Sequence, residues 1–262
     1  MTLTLVVPTY NEGENAVLLV SALCREMEKS GRPDYEILFV DDSTDGTPLL
    51  LEALSRDNPV VRFVHRSGER GLGTAIVRGF AEARGSVIAV MDGDLQHPPS
   101  LIPAMMEEIE RGADLVLPSR FLPGGSDGGL TLPRKIVSLV ARMLARVLLS
   151  RVRPSSDPTG GVFMLRREVV DGLRFDAGSW KILIEVLVRG CYGRVVEIPY
   201  RFRARDLGTS KMSARAQADY LFHILRLFAG IGPGKRTRPC RKEPSFGRDL
   251  SGSQDTGSNP SC

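Results

Sequence analysis

Residues 36–57, EILFVDDSTDGTPLLLEALSRD, contain the pattern that decides the fold. An apolar run over 36–42 ends in two aspartates, and after a short polar turn the residues 46–57 place apolar side chains at helical spacing. The first run is typical of a buried strand and the second of an amphipathic helix. The segment therefore predicts a strand–helix unit with acidic residues at the carboxyl end of the strand.

The same alternation extends over the first half of the chain. It predicts strands at 3–10, 60–65, 86–94 and 113–119 and helices at 12–30, 71–84 and 98–112. Helical crossovers between strands of this length favour an α/β fold with a mostly parallel, doubly wound sheet and helices on both faces. After residue 119 the sequence predicts a mobile Gly-rich loop (119–133), an amphipathic helix (134–151), a helix (178–190), a strand (193–203) and an amphipathic helix (212–229).

Composition and charge narrow the class of protein. The 262 residues are 42% hydrophobic and 25% charged, which is typical of a globular domain. Residues 1–133 carry 11 Lys and Arg against 20 Asp and Glu, a net charge of −9, whereas residues 134–262 carry 24 against 11, a net charge of +13. This asymmetry predicts a first half that holds a cation and a second half that faces an anion such as phosphate. Residues 230–262 are polar and are predicted to be a disordered tail.

The cysteines and the first residues of the chain indicate in which cellular compartment the protein is expected. Cys24, Cys191, Cys240 and Cys262 show no metal-ligand spacing, so we interpret them as packing or tail residues in a reducing compartment. The first residues turn directly into a strand without a secretory signal, and no apolar run is long enough to span a bilayer. A cytoplasmic location is expected.

Two acidic motifs follow predicted strands. Asp92-Gly93-Asp94, with Gln96 close behind, offers the oxygen ligands that Mg²⁺ or Mn²⁺ prefers, although turns also collect aspartate. Asp41 and Asp42 adjoin at the end of another strand, where like charges repel unless a ligand's donors or a cation balance them. Ligands of parallel sheets bind beyond the carboxyl ends of strands, so both motifs are candidate site residues.

Several motifs together resemble family 2 glycosyltransferases of GT-A fold. In order along the chain they are VVPTYNEGEN, FVDDSTDGT, GLGTAIVRGF, VMDGDLQHPP, SRF, RKIVS, DPTGGVFMLRREVV, WKILIEVL and IPYRFRARDLGTSK. DLQHPP and the segment 205–211 resemble most of all the polyprenol-phosphate (dolichol-phosphate) mannosyltransferases, which use GDP-mannose. The resemblance covers about residues 3–229.

The resemblance implies a catalytic domain over 1–229, with a nucleotide-sugar and metal half (1–118) and an acceptor half (119–229). It implies Mg²⁺ or Mn²⁺ at Asp92, Asp94 and Gln96, and catalytic roles for Asp94, Arg120 and Arg134. The acceptor phosphate is expected at Arg120, Arg134 and Ser138. The implied nucleotide-sugar pocket is Pro8, Tyr10, Glu12, Asp41, Asp42, Asp92, Gly93, Asp94, Gln96, Arg205 and Lys211. One departure is Gly161, where the family usually has an aromatic residue, so the sugar or acceptor pocket is expected to differ.

The expected reaction is inverting transfer of mannose to polyprenol phosphate. A phosphate monoester is already anionic at pH 7, so no general base is expected. Helices 134–151 and 212–229 are expected to hold the protein on the cytosolic face of a membrane, although 134–151 is equally compatible with a core helix. The alternatives are a polyprenol-phosphate glucosyltransferase or another UDP-sugar transferase and, more remotely, a non-catalytic nucleotide- or RNA-binding module. An aromatic content of 6% and the acidic strand ends count against nucleic-acid binding.

Overall fold

The fold is built on one sheet. The computed structural model describes residues 2–128, 132–176, 181–203, 214–230, 240 and 243–248, with the backbone alone for 132–134 and 214–217. Its strands are β1 (Leu3–Thr9), β2 (Tyr35–Asp41), β3 (Val61–His65), β4 (Val87–Val90), β5 (Leu115–Ser119), β6 (Phe163–Arg166), β7 (Arg194–Pro199) and β8 (Ser245–Arg248). They lie in the order β3-β2-β1-β4-β6-β5-β7-β8. All neighbouring pairs are parallel except that β6 runs antiparallel to both β4 and β5.

Helices cover both faces of this sheet. They are α1 (Gly13–Lys29), α2 (Thr47–Asp57), α3 (Leu72–Glu82), α4 (Leu101–Glu110), α5 (Leu132–Leu148), α6 (Ile182–Arg189) and α7 (Ala214–Phe228). Alternate residues of a strand enter opposite cores. On β1, Val6 joins the core under α3, α5, α6 and α7, whereas Leu5 and Val7 join the core under α1, α2 and α4. Strands buried on both faces explain the continuous apolar runs of the sequence.

The predicted α/β fold with a mostly parallel sheet is confirmed, and four details differ. The strand predicted over 86–94 ends at Val90, so the DGD motif lies in the turn beyond it. Strand β6 was not predicted, because four residues are too few to show a period and its two partners are distant in sequence. Helix α5 begins two residues before the predicted helix 134–151, and α6 begins at Ile182 within the predicted 178–190.

The Gly-rich segment after β5 is tied to the chain that leaves β7. The Ser126 N–H donates to the Tyr200 carbonyl at 3.0 Å, and the Phe202 N–H donates to the Ser126 carbonyl at 2.9 Å. These bonds draw the described part of the segment, 120–128, across the carboxyl edge of the sheet. The mobility predicted for 119–133 stays a prediction.

The disordered tail predicted for 230–262 is wrong over residues 245–248. These residues form β8, which pairs in parallel with β7, and the Ser245 N–H donates to the Gly193 carbonyl at 2.7 Å. Cys240 forms a disulfide with Cys191, which immediately precedes this part of the sheet. The interpretation of these two cysteines as packing or tail residues is therefore also wrong, and the cysteines no longer favour a reducing compartment.

Replacing Cys240 with Ser is expected to lower the melting temperature by several degrees in the absence of reductant. The disulfide spans 49 residues, and a cross-link of that length restricts the unfolded chain by about 4 kcal/mol in the chain-entropy model. The measurement is thermal unfolding with and without dithiothreitol. Cys24→Ser is the matched control, because Cys24 forms no disulfide in the described part of the chain. Equal melting temperatures for Cys240→Ser and the parent without reductant would contradict the prediction.

Candidate active site

The carboxyl ends of β1, β2 and β3 lie side by side. Thr9, Asp41 and His65 occupy neighbouring register positions there. The turns that follow β1 and β2 are cross-linked, because the Asn11 N–H donates to Ser43 Oγ at 2.8 Å and the Thr44 N–H donates to Asn11 Oδ1 at 3.0 Å. Asn11 has a φ of 55°, a left-handed conformation that asparagine tolerates better than most residues. These two hydrogen bonds join the turns after β1 and β2 at this edge.

The carboxylate of Asp41 is bound from several sides within the chain. One oxygen accepts a hydrogen bond from Thr9 Oγ1 at 3.2 Å and also contacts the hydroxyl of Ser43, and the other lies 2.7 Å from His65 Nδ1. Asp41 is fully buried. Its charge is therefore accommodated by neighbouring donors.

Asp42 is held by a different set of donors. Arg66 donates to its two oxygens through Nε at 2.7 Å and Nη2 at 2.6 Å, and the Gly71 N–H adds a bond of 3.0 Å. The expectation that the adjoining charges of Asp41 and Asp42 need a ligand or cation to balance them is therefore wrong. Their placement in a nucleotide pocket stays a prediction.

The DGD motif lies in the turn after β4. The Gln96 N–H donates to Asp94 Oδ1 at 3.2 Å, and Leu95 between them has a φ of 60°, which is strained for a leucine. Gln96 is anchored to the chain beyond β7: its side-chain N–H donates to the Arg203 carbonyl at 3.2 Å, and the Arg203 N–H donates to the Gln96 carbonyl at 2.9 Å. The amide oxygen of Gln96 is thereby turned away from Arg203.

His97, the next residue, packs this turn against the chain at the end of β7. It is buried, stacks on Tyr200 with ring centroids 5.5 Å apart, and meets the edge of Phe202 at 5.2 Å. Its Nε2 lies 3.6 Å from Asp92 Oδ2. The aromatic packing therefore limits the positions that the Asp92 carboxylate can take.

The oxygens of the motif fit a hard divalent cation. Two carboxylates and one amide oxygen are the donors that Mg²⁺ or Mn²⁺ binds, usually together with water or phosphate oxygens. In the described ranges no group of three or more His, Cys, Asp or Glu side chains could hold a metal ion. A cation at Asp92 and Asp94 would therefore complete its shell with other oxygen atoms, for which substrate phosphates are suited.

A buried ion pair lies across the site from these acids. Arg120 follows β5 directly and donates to both oxygens of Asp157, through Nε at 2.7 Å and Nη2 at 3.0 Å. The side chains are 10% and 1% exposed. Burial disfavours the Arg120 charge, but the bonds to Asp157 outweigh it and raise the pKa of the guanidinium. The pair joins the end of β5 to the turn that precedes β6.

Lys181 is a site residue that the sequence did not reveal. It lies immediately before α6, and its Nζ donates to the Thr159 carbonyl. Burial lowers the pKa of its ammonium group to about 8, while the charges of Asp92 and Asp157 act in the opposite direction. Lys181 belongs to the motif WKILIEVL, but no residue near it in the sequence indicates that its side chain faces the acidic edge.

Gly161 is in contact with the acidic edge. A Cβ built on this glycine would overlap the carboxylate of Asp92, whereas a Cβ on Gly160 would meet its nearest neighbour, the Asp157 carbonyl, at an ordinary 3.6 Å. Gly161, where this sequence departs from the family pattern, is therefore a position at which a side chain would displace the Asp92 carboxylate.

The remaining predicted residues are placed unevenly. Pro8, Tyr10, Glu12 and Gly93 lie at the acidic edge, where the Glu12 carboxylate approaches Gly93 and Arg70 lies 5.8 Å from the Tyr10 ring. Ser138 lies on α5 and is half-buried. Arg134 belongs to the first turn of α5, but its side chain is outside the described part. Arg205 and Lys211 lie outside the described residues.

Comparison with known proteins identifies the family of this chain. The family model described as "Glycosyl transferase family 2" matches residues 4–174. The chain is 41% identical over 233 residues to the dolichol-phosphate mannosyltransferase of Pyrococcus furiosus, covering 88% of this chain and 65% of that relative, so it spans just under two thirds of its length. It is 33% identical over 235 residues to the dolichol-phosphate mannosyltransferase of Saccharomyces cerevisiae, covering 86% of each chain.

A solved structure supports the fold alone. Glucosyl-3-phosphoglycerate synthase from Mycobacterium tuberculosis, in complex with Mg²⁺ and uridine diphosphate, superposes with a TM-score of 0.63 at 18% identity. The match covers 89% of this chain and 81% of that one. The sheet and its helices are therefore an arrangement that also occurs in this synthase.

Replacing Gly161 with Ala is expected to weaken Mn²⁺ binding at least tenfold, because the added methyl group displaces the Asp92 carboxylate. Mn²⁺ titration followed by electron paramagnetic resonance, in the presence of nucleotide diphosphate, measures this affinity. Gly160→Ala is the matched control and is expected to leave the affinity within twofold. Equal Mn²⁺ affinities for Gly161→Ala and the parent would show that Asp92 does not bind the cation from this position.

Proposed function

The chain belongs to glycosyl transferase family 2, and we propose that it transfers mannose from GDP-mannose to the phosphate of a polyprenol such as dolichol. The observation that carries this proposal is the meeting, in one site, of the acidic DGD turn with the cationic groups Arg120 and Lys181. A reaction between two phosphate-bearing substrates needs both kinds of charge. Both relatives named above are dolichol-phosphate mannosyltransferases, which supports mannose as the transferred sugar.

The donor side is the acidic edge. We place Mg²⁺ or Mn²⁺ at Asp92, Asp94 and Gln96, where it would neutralise charge on the departing diphosphate. The two Gln96–Arg203 hydrogen bonds tie the turn that carries these residues to the chain beyond β7. The rest of the donor pocket is Pro8, Tyr10, Glu12, Asp41, Asp42, Gly93, Arg205 and Lys211.

The acceptor side needs cations rather than a base. The acceptor phosphate is anionic at pH 7 and attacks the anomeric carbon itself, so a single displacement inverts the configuration of the sugar. Bringing two unit negative charges to about 4 Å costs on the order of 4 kcal/mol at an effective dielectric of 20. Arg120, Arg134 and Ser138 are proposed to lower this cost at the incoming phosphate, since a guanidinium binds two phosphate oxygens at once.

The reaction is tested by supplying the purified chain with polyprenyl phosphate in vesicles, Mn²⁺ and one radiolabelled nucleotide sugar at a time. Label from GDP-mannose is expected to enter the organic phase as an alkali-stable, acid-labile lipid. Transfer from UDP-glucose alone would establish the glucosyltransferase alternative. Binding of GDP without transfer from any donor would indicate a non-catalytic nucleotide-binding module.

Asp94→Asn is expected to lower transfer at least a hundredfold while leaving the melting temperature within about 2 °C, because this carboxylate lies in a turn outside the core. Excess chelator is expected to abolish transfer by the unaltered chain. Asp171→Asn is the matched control, since Asp171 is exposed and remote from the DGD turn. Full transfer activity in excess chelator would show that the reaction needs no divalent cation and would refute the proposed metal site.

The polyprenyl chain requires contact with a membrane, for which α5 and α7 offer an apolar surface. Tyr220 of α7 donates to the Ala141 carbonyl of α5 at 2.7 Å, so the two helices pack together. Their exposed apolar residues are Ile136, Val137, Leu139, Val140, Met143 and Val147 on α5 and Leu221, Phe222, Leu225 and Phe228 on α7. None of the helices that the structure describes is long and apolar enough to cross a bilayer. On the evidence of the exposed apolar residues, we propose peripheral attachment through this α5–α7 surface, on the cytosolic face.

Phe222→Ser is expected to weaken binding to phosphatidylcholine–phosphatidylglycerol vesicles about tenfold, because burying a phenyl side chain contributes roughly 1.5–3 kcal/mol. Vesicle sedimentation measures the bound fraction. Leu49→Ser is the matched control: Leu49 lies on α2 and is 72% exposed, compared with 63% for Phe222. Equal losses for the two variants would contradict a specific membrane surface on α5 and α7.

A further inference from the structure

Arg142 of α5 is a half-buried arginine whose hydrogen bonds are incomplete. Its guanidinium lies 3.7 Å from the centroid of the Phe121 ring, and Nη1 donates to the Ser156 carbonyl at 3.3 Å. Its Nε is buried and has no hydrogen-bond partner in the described part of the chain. A buried donor left without an acceptor is uncommon in folded proteins and calls for a missing partner.

The charge of Arg142 is also uncompensated. No carboxylate lies within ion-pair distance of it in the described ranges, and Asp157, whose charge acts on Arg142, is bound through both oxygens by Arg120. Burial lowers the pKa of the Arg142 guanidinium; the charge of Asp157 raises it, and those of Arg146 and Arg120 lower it further. This is the behaviour of a cation that has lost water without gaining a full counter-charge.

Arg142 faces the site rather than the apolar surface. It follows Ser138 by one helical turn, and the same Phe121 ring that it covers lies 5.4 Å from the guanidinium carbon of Arg120. Arg146, one turn further along α5, instead donates through Nε to the Arg153 carbonyl at 3.0 Å. The inward side of α5 thus brings a second guanidinium to the Phe121 ring that Arg120 also approaches.

We propose that Arg142 binds the phosphate of the acceptor, a site assignment that rests on the proposed function. The missing partner is a phosphate oxygen, which accepts from a guanidinium and supplies the counter-charge. Arg120 is already paired with Asp157, whereas Arg142 has no carboxylate partner in the described ranges, so Arg142 adds a positive charge beside Arg120 that an incoming phosphate can neutralise. Two sources share this chemistry: the terminal phosphate of the lipid acceptor, to which we assign it, and the head group of a bilayer phospholipid.

The test compares Arg142→Gln, Arg142→Lys and the matched control Arg146→Gln. Steady-state transfer is measured with a short-chain, water-soluble polyprenyl phosphate and with the same head group in vesicles. Arg142→Gln is expected to lower kcat/KM for both acceptors at least tenfold and to leave the KM for GDP-mannose within twofold. Arg142→Lys is expected to recover part of the loss, and Arg146→Gln to stay within twofold of the parent.

Three outcomes would overturn the assignment. A loss with vesicles that disappears with the soluble acceptor, together with weaker sedimentation, would assign Arg142 to phospholipid head groups. An equal rise in the KM for GDP-mannose would move it to the donor diphosphate. Unchanged kinetics in Arg142→Gln would leave it a structural residue. If Arg142→Gln does not fold, as judged by its melting temperature, the same comparisons are made on Arg142→Lys. Absence of transfer by the unaltered chain, with GDP still bound, would instead refute the proposed function.

Discussion

The buried ion pair of Arg120 and Asp157 fixes the geometry on which the rest of the site depends. Both partners are almost removed from water, and breaking such a pair by removing one member costs roughly 3–5 kcal/mol because the other charge stays buried. The end of β5 and the turn 157–161 are therefore held together. That turn offers the Thr159 carbonyl to Lys181 and brings Gly161 against Asp92. The Arg120–Asp157 ion pair thus links the end of β5 to the turn that contacts both Lys181 and Asp92.

Net charge along the sequence gives a poor measure of the charge that a ligand meets. The first half carries −9, yet Arg66 binds both oxygens of Asp42, and neighbouring donors surround Asp41. In the second half, Asp157 binds Arg120, while Arg142 has no such partner within the described ranges. Electrostatic complementarity to a substrate is decided by the charges left over after pairing, and pairing depends on contacts that are distant in sequence.

The parts of the fold that follow from local pattern were predictable, and the parts that depend on distant partners were not. Strands β1 to β5 and β7, and the helices α1 to α7 of the described residues, have periods or apolar runs long enough to recognise. Strand β6 has four residues and takes its place from β4 and β5, and β8 is placed beside β7 with the Cys191–Cys240 bond nearby. In the site, DGD and Arg120 carry motif signals. Lys181 and Arg142 could not be recognised from the sequence, because they are distinguished only by their burial and by neighbours that are distant in sequence.

Under the proposed function, the geometry must bring a water-soluble donor and a membrane-bound acceptor to one point. Helix α5 connects the two environments: Val140 and Met143 face outward, while Ser138 and Arg142 lie toward the site. A helix presents residues three or four apart on one side, so the four-residue spacing of Ser138 and Arg142 places a polar stripe beside an apolar face. A lipid phosphate bound along this stripe would keep its polyprenyl chain on the apolar side of α5. Its charged phosphate group would then point toward Phe121 and Arg120. The amphipathic pattern of α5 therefore has a directional consequence, since it orients the acceptor as well as attaching the protein.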